Sequence, residues 1–212
     1  KALLARNAIT QRVQQETGMI TQIIDSQAFE VVPWRNGLGS TTQLWVEPGA
    51  NSEEFLYRIS IAPVQADGPF SDFSDYHRSL ILIEGSGITL EHSTGQSDCL
   101  EQRFDTAHFS GAWQTDAQLH RGPITDFNVM ARKGACESHV SIVHDAGPEE
   151  LVVDSDWLLV FAPDQTVHAT SPDSVVSSVP AGSLLKIRSP IHGDWTLHGG
   201  PAICVQIEIR TP

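Results

Sequence analysis

The chain has 212 residues, with 26 Asp and Glu against 13 Lys and Arg, and its formal net charge is −13 at pH 7. This length is sufficient for one large or two small domains with a sizeable core. The acidic balance argues against nucleic acid and anionic membrane surfaces as partners, because both select basic patches.

The N-terminal segment predicts a helix over residues 2–17. Ala5, Ile9 and Val13 recur on one helical face, and Gly18 follows as a C-terminal stop. We expect residues 1–18 to form an extension that precedes the main body of the fold.

From Ile20 onward the sequence predicts β-strands almost throughout. The candidate strands are short, lie about 8–15 residues apart and are separated by Gly- and Pro-rich turns. They cover residues 29–33, 42–46, 55–62, 79–84, 87–92, 103–109, 125–131, 138–144, 157–161, 175–179, 183–187 and 201–210. The run 80–83 is apolar on both faces, so we expect it to lie deep between two layers.

About a dozen strands exceed the seven to nine of a simple sandwich. The count favours an all-β fold of two fused jelly rolls, with domains at residues 19–115 and 116–212.

No stretch reaches the roughly 18–20 apolar residues of a membrane helix. Cys99, Cys136 and Cys204 are too few and too far apart for a disulfide framework or a zinc ribbon. We therefore expect a cytoplasmic protein.

The basic residues are unevenly divided, since ten are Arg and three are Lys. Arg holds anions in fixed, bidentate contacts better than Lys does. In the predicted strand 55–62, Arg58 alternates with apolar residues and shares a face with Leu56, Ser60 and Ala62. Such an arginine binds a ligand carboxylate or pairs with an internal acidic residue, because an isolated buried charge is costly.

A second polar strand face lies in residues 125–131. Asp126, Asn128 and Met130 point to one side, and Phe127 and Val129 point to the other. An acceptor, an amide and a soft apolar group suit the floor of a small pocket. The alternatives are a polar sheet face open to water, or Asp126 acting as the internal partner of Arg58.

The third candidate is the loop Trp34-Arg35-Asn36-Gly37-Leu38-Gly39. Gly37 and Gly39 permit positive φ or close backbone approach, so the loop fits either a binding site or a structural turn. It lacks the strand and helix context of a dinucleotide-binding loop and the Gly-Lys-Ser/Thr of a P-loop.

Motifs of several catalytic and metal-binding classes are missing from the sequence. There is no His-x-His, no His-Glu-x-x-His and no Gly-x-Ser-x-Gly. We expect no metal and no cofactor, and the catalytic residues, if any exist, stay unidentified.

Five segments in order resemble the HutD/Ves family of cupin-like proteins. They are Trp34–Thr41, Tyr57–Ala62, Gly68–Phe73, Arg78–Leu80 with Glu84–Gly87, and Asp126–Met130, and the resemblance is strong over residues 20–133. It implies a cytoplasmic bacterial bicupin of RmlC-like jelly rolls without the usual cupin metal ligands. It also implies an association with histidine utilisation.

The resemblance implies a pocket that holds a small carboxylate of the urocanate or formylglutamate class. Its residues are Trp34, Arg35, Asn36, Arg58, Phe70, Arg78, Asp126, Asn128 and Met130. The chain departs from the family pattern at Asp75 and His77, which affects the loop before Arg78.

Three functions stay open from the sequence. The first is a metabolite-binding protein with a regulatory or accessory role. The second is a metal-independent isomerase or hydrolase that uses Asp126, His77 or His108 as general base. The third is an interaction protein with an acidic docking surface. The oligomeric state is open between a monomer and a homodimer.

Overall fold

Strands make up most of the described chain. The computed structural model describes residues 15–16, 18–34, 39–49, 54–144 and 147–210. The strands are β1 (Gln15–Glu16), β2 (Met19–Ile24), β3 (Glu30–Pro33), β4 (Ser40–Pro48), β5 (Phe55–Val64), β6 (Gly68–Pro69), β7 (Tyr76–Glu84), β8 (Ile88–His92), β9 (Ser97–Leu100), β10 (Thr106–Ser110), β11 (Thr115–Leu119), β12 (Ile124–Arg132), β13 (Cys136–Val143), β14 (Glu149–Val153), β15 (Trp157–Ala162), β16 (Val167–Thr170), β17 (Val176–Val179), β18 (Ser183–Arg188), β19 (Gly193–His198) and β20 (Ala202–Ile209).

The prediction of an all-β fold is confirmed, and each of the predicted strands overlaps an observed one. The helical part of the described ranges is a single 3-10 turn, Ser26–Ala28. Within the same ranges, no helix is long and apolar enough to cross a membrane.

The predicted helix over residues 2–17 falls mostly outside the described residues, which begin at Gln15. Its last described positions form β1 instead, where Gln15 pairs with Ile20 and Glu16 pairs with Met19. Gly18 has a φ of +79° in the turn between β1 and β2. The glycine therefore closes a hairpin and does not end a helix, because this backbone conformation suits a tight reversal.

The strands form four antiparallel sheets. Two have six strands, in the orders β1-β2-β18-β15-β20-β13 and β10-β7-β12-β5-β4-β3. Two have four strands, in the orders β14-β19-β16-β17 and β6-β11-β8-β9.

The chain divides into two units that are interleaved in sequence. Unit 1 contains residues 1–28 and 143–204, and unit 2 contains residues 29–142 and 205–212. The consecutive domains predicted at 19–115 and 116–212 differ from this division. The difference arises because β12 pairs with both β5 and β7 and so belongs with the earlier strands.

The core of unit 2 lies between a six-stranded and a four-stranded sheet. Leu80 and Leu82 of β7 pack with Ile88 and Leu90 of β8 in one buried cluster. The run Leu80–Ile83 is at most 7% exposed, which confirms that both faces of this strand are buried. Apolar residues at alternate positions of each sheet supply this core, as strand geometry requires.

The core of unit 1 is built in the same way around Trp195. Leu158 and Val160 of β15 and Leu197 of β19 join this residue in a second buried cluster. Trp195 is 1% exposed, and its Nε1 donates a 2.8 Å hydrogen bond to the carbonyl oxygen of Ile191. The indole therefore fills space and satisfies its one donor at the same time.

We predict that Trp195→Ala lowers the free energy of unfolding by about 3–5 kcal/mol, because it leaves a large cavity in a packed core. The measurement is urea denaturation followed by circular dichroism. Val176→Ala is the control, since Val176 is 56% exposed and should change stability by less than about 0.5 kcal/mol. Equal small losses in both variants would contradict the assignment of Trp195 to the core.

Candidate functional site

The candidate site begins with three side chains on neighbouring strands. Met130 of β12 pairs with Arg58 of β5 on one side and with Arg78 of β7 on the other. All three have the same parity as Leu80 and Leu82 on these strands, so they share the face that lines the core of unit 2. The Nη2 atom of Arg58 contacts Sδ of Met130 at 3.1 Å. The register of β5, β12 and β7 therefore brings two guanidinium groups to one place.

A chain of polar groups extends from Arg78 towards the apolar core. Nη2 of Arg78 donates a 3.0 Å hydrogen bond to Oδ1 of Asn128, and Nδ2 of Asn128 donates to Oδ1 of Asp126. Arg78, Asn128 and Asp126 are all buried, at 6%, 5% and 1% exposure. The two contacts fix the orientation of the Asn128 amide, with its oxygen towards the cation and its nitrogen towards the carboxyl group.

Phe73 joins the two guanidinium groups. Its ring centroid lies 4.9 Å from Cζ of Arg58 and 5.7 Å from Cζ of Arg78. The backbone nitrogen of Phe73 donates to the carbonyl oxygen of Gly111 at 3.0 Å, which anchors the segment between β6 and β7. Cations over aromatic faces are stabilised by the ring quadrupole, and the contact strengthens away from water.

Further aromatic rings line the outer sides of the two cations. Phe55 lies 5.0 Å from Arg58, and Phe70 and Phe109 lie 5.1 and 5.0 Å from Arg78. Phe70 was predicted as a site residue, and the structure brings it to the cluster. The sequence analysis did not identify Phe55, Phe73 and Phe109 as site residues. Phe73 could have been identified, since it ends the same motif that contains Phe70.

A buried histidine packs against the ring of Phe109. His92 lies 5.0 Å from the Phe109 ring. Its Nδ1 is 2.9 Å from Oγ1 of Thr115, and its Nε2 is 2.9 Å from Oδ2 of Asp98. Both ring nitrogens are thus engaged by protein groups, so His92 acts as a structural residue that positions this aromatic wall.

Among the residues that the structure describes, neither guanidinium group has a close acidic partner. Within the described residues, no carboxylate lies within 4.0 Å of either one, and the Nε atoms of Arg58 and Arg78 have no hydrogen-bond partner. The alternative that Asp126 is the internal partner of Arg58 is wrong, because no ion pair joins these two described residues and Oδ1 of Asp126 accepts a hydrogen bond from Asn128. Burial lowers the pKa of both arginines, that of Arg78 to about 10, and both stay charged at neutral pH.

Burial also shifts the pKa of Asp126, the acid at the end of the chain of polar groups. It raises the pKa of Asp126 to about 7 from 3.8, although the charge of Arg78 and the hydrogen bond from Asn128 act in the opposite direction. The cluster therefore contains two positive charges and at most one negative charge. An excess of buried positive charge is unfavourable without a counter-ion.

The predicted loop 34–39 is only partly described. Trp34 lies between β3 and β4, where its Nε1 donates to Oγ1 of Thr41 at 2.8 Å and its backbone nitrogen donates to Gly39 at 2.9 Å. These contacts stay within the hairpin and do not join Trp34 to the guanidinium cluster. Arg35 and Asn36 lie outside the described residues.

Two of the three predicted general bases face away from the cluster. His77 adjoins Arg78 on β7 and therefore points to the opposite face of the strand. His108 pairs with Ser79 on that same face, and its Nδ1 lies 2.8 Å from Oγ of Ser79. Asp126 is the remaining candidate base that lies on the face of the guanidinium groups.

The family of the chain follows from comparison with known proteins. The sequence model of the HutD family matches residues 26–204, which is most of the chain. The chain belongs to the HutD family. It is 34% identical over 109 residues to an uncharacterised 21.2 kDa protein from the hutC 3′ region of Pseudomonas putida, and 36% identical over 122 residues to protein Ves of Escherichia fergusonii.

These two curated relatives match over only part of their length. The first alignment covers 51% of this chain and 57% of the relative, and the second covers 57% and 63%. The chain thus aligns with about three fifths of each relative.

Comparison with solved structures identifies the fold. A conserved protein of unknown function from Pseudomonas aeruginosa PAO1 has a TM-score of 0.80 at 25% identity, covering 89% of this chain and 98% of that one. HutD from Pseudomonas fluorescens SBW25 has a TM-score of 0.78 at 24% identity, covering 90% and 100%. Oxalate decarboxylase from Lactobacillus farciminis reaches 0.58 at 7% identity, covering 87% and 85%. The fold of this HutD-family chain is therefore cupin-like.

We predict that Asp126 makes stability depend on pH. The pKa of Asp126 is about 7 in the folded state, and its ordinary value is 3.8. Between these pH values the carboxyl group is therefore protonated in the folded state and ionised in the unfolded state. The contribution of Asp126 to the free energy of unfolding therefore falls as pH rises from about 4 to about 7, and it is flat outside this window. Urea denaturation across the window should show this slope in the wild type and lose it in Asp126→Asn.

Asp116→Asn is the matched control, because Asp116 is exposed on β11. That variant should keep the slope of the wild type. An identical pH dependence in Asp126→Asn and the wild type would contradict a protonated, buried Asp126.

Proposed function

We propose that this HutD-family chain is a cytoplasmic bicupin that binds a small carboxylate metabolite in the interior of unit 2. Each unit then acts as one jelly-roll barrel, and the Arg58–Arg78 cluster forms the ligand site. The proposed role is regulatory or accessory, in histidine utilisation, with urocanate or formylglutamate as the ligand class.

The observation that carries this proposal is the pair formed by the buried Arg78 and the half-buried Arg58, neither of which has an acidic partner among the described residues. Phe73 contacts both guanidinium groups, and each group keeps an unpartnered Nε in the described residues. Each guanidinium is a fork of donors that matches the two oxygens of a carboxylate. A bound anion would supply the missing negative charge and accept hydrogen bonds from the unpartnered donors.

The aromatic rings around the two guanidinium groups favour a ligand with a flat or slender body. Phe70 and Phe73 are only partly buried, so this side of the cluster reaches solvent and offers a path of entry. Rings around a fixed anion contact favour conjugated or short-chain acids, because these can lie against aromatic faces while the carboxylate stays on the arginines. Urocanate is such a conjugated acid, and formylglutamate is a short dicarboxylate.

The link to histidine utilisation is supported by the family assignment. The matching family is HutD, and one relative is described by its position in the hutC 3′ region of Pseudomonas putida. Since the chain aligns with about three fifths of that relative, we propose the role for this chain from the site and the family together.

A second candidate function is acid-base catalysis by Asp126. Its pKa of about 7 lies near the working pH, which is where a general base or acid is most effective. A substrate carboxylate on Arg58 and Arg78 would be held on the same strand faces as Asp126. This candidate is a metal-independent isomerase or hydrolase acting on the same class of small acid.

We predict that the wild type binds urocanate or formylglutamate with a dissociation constant on the order of micromolar. Loss of one charge-assisted contact in Arg58→Gln should weaken binding roughly 10- to 100-fold, corresponding to about 1.5–3 kcal/mol. Isothermal titration calorimetry measures both values. Arg58→Lys keeps the charge without the planar fork and should fall between the two proteins.

Arg121→Gln is the matched control, because Arg121 is exposed in unit 2 and should leave binding unchanged. The methyl ester of urocanate is the ligand control and should not bind. Thermal unfolding shows that each variant is folded before titration. Equal affinities in the wild type and Arg58→Gln would remove this arginine from the site.

The catalytic candidate predicts a chemical change in the ligand. Urocanate or formylglutamate is incubated with the protein at millimolar concentration and followed by NMR. Turnover that disappears in Asp126→Asn and persists in Asp116→Asn would support catalysis. A ligand that binds by calorimetry and stays unchanged during long incubation would favour binding alone.

A further inference from the structure

A thiol, an imidazole and a carboxylate meet on the outer face of the four-stranded sheet of unit 2. One ligand atom each from Cys99, Glu101 and His120 lies within 4.8 Å of the other two. All three residues are exposed. The arginine cluster, in contrast, lies on the core-facing side of the unit.

The strand register explains why these residues come together. Thr89 on β8 pairs with Cys99 on β9 and with Gln118 on β11, so the two flanking strands place side chains beside the same threonine. Cys99 and Glu101 are two residues apart, and Leu100 between them is 3% exposed. The alternation of an extended strand therefore directs Cys99 and Glu101 to the same, outer side.

His120 is held in a fixed orientation beside them. Its backbone nitrogen donates to the carbonyl oxygen of Gly87 at 3.1 Å, and its Nε2 lies 2.8 Å from Oγ1 of Thr89. Gly87 has a φ of +122°, and a Cβ at this position would lie 2.4 Å from Nδ1 of His120. Gly87 thus leaves room for the imidazole, and Nε2 is directed towards Sγ of Cys99 at 4.0 Å.

The glutamate is also anchored through its backbone. Oδ2 of Asp105 accepts 2.8 Å hydrogen bonds from the backbone nitrogens of Glu101 and Gln102. The turn after β9 is therefore fixed at the point where Glu101 projects. Each of the three side chains starts from an ordered backbone position.

We propose that Cys99, Glu101 and His120 form a surface site for a divalent metal ion of the zinc class. Thiolate, imidazole and carboxylate ligands bind Zn²⁺ at about 2.0–2.3 Å, which places neighbouring ligand atoms about 3.6 Å apart in a tetrahedron. The 4.0 Å separation between Cys99 and His120 closes to this value by small side-chain rotations. The fourth position belongs to water, since three protein residues supply ligands.

Charge and hydrogen bonding both favour a soft divalent cation at this place. A thiolate and a carboxylate together neutralise the ion, and the net charge of −13 attracts cations at long range. The hydroxyl of Thr89 lies 3.7 Å from Sγ of Cys99, so it can turn from the imidazole to the thiolate when Nε2 binds the metal. Sulfur and imidazole ligands select zinc-class ions over Mg²⁺ and Ca²⁺.

The test uses Co²⁺ as a spectroscopic probe on the whole chain. Cys136 and Cys204 are buried, which leaves Cys99 as the exposed one of the three cysteines. Titration with Co²⁺ should give a thiolate-to-cobalt charge-transfer band that saturates at one ion per chain. Added Zn²⁺ should displace the Co²⁺ and abolish the band.

Variants separate this site from incidental binding. Cys99→Ser should remove the band, and His120→Gln and Glu101→Gln should each weaken binding about tenfold or more. The matched controls His139→Gln and Glu208→Gln change exposed residues on other strands of unit 2, β13 and β20, and should bind as the wild type does. Arg58→Gln should also bind Co²⁺ normally, because the metal site is independent of the proposed carboxylate site.

Three results would overturn the proposal. The first is no charge-transfer band in the wild type at millimolar Co²⁺. The second is a band that survives in Cys99→Ser, or an affinity that His120→Gln and Glu101→Gln leave unchanged. The third is saturation at half an ion per chain, which would indicate a site shared between two molecules.

Discussion

The close approach of two guanidinium groups, one buried and one half-buried, is the constraint around which unit 2 is organised. Arg58 and Arg78 lie on either side of Met130 because three antiparallel strands meet in one register. Like charges in a poorly solvated place repel each other, so the surroundings must compensate. Aromatic faces and the Asn128 amide provide part of that compensation, and neither supplies a full negative charge.

The sequence predicts which side chains share a strand face better than it predicts which other strands and side chains that face contacts. Strict alternation in 125–131 predicts that Asp126 and Asn128 share one strand face, and alternation in 55–62 predicts which neighbours share a face with Arg58. Whether the Asp126 face is turned to the core or to water stays open from the sequence. The convergence of these side chains depends on which strands pair and in which register, and these are long-range properties that no local pattern carries. Phe109 was missed for this reason, since β10 reaches the cluster only by pairing with β7.

Short strands and the division into units were equally hard to predict. The exposed positions of β9 and β11 are Ser97, Cys99, Asp116 and Gln118. These residues have little strand propensity, so the sequence alone does not distinguish the two short strands from loops. The division into interleaved units also depends on long-range strand pairing, because β2 pairs with β18 across most of the chain length. The outer-face cluster of Cys99, Glu101 and His120 lies on these short strands, and its spacing matches no familiar metal motif.

The fixed Asn128 amide has a consequence for how unit 2 would respond to an anion. The positive charge of Arg78 lowers the pKa of Asp126, against the larger effect of burial. An anion that contacts Arg78 would cancel part of that positive field, and the pKa of Asp126 would rise further. Anion uptake and proton uptake are then thermodynamically linked, with each favouring the other. Taking up an anion together with a proton is equivalent to binding the neutral form of a weak acid. The core of unit 2 would then gain little net charge on binding.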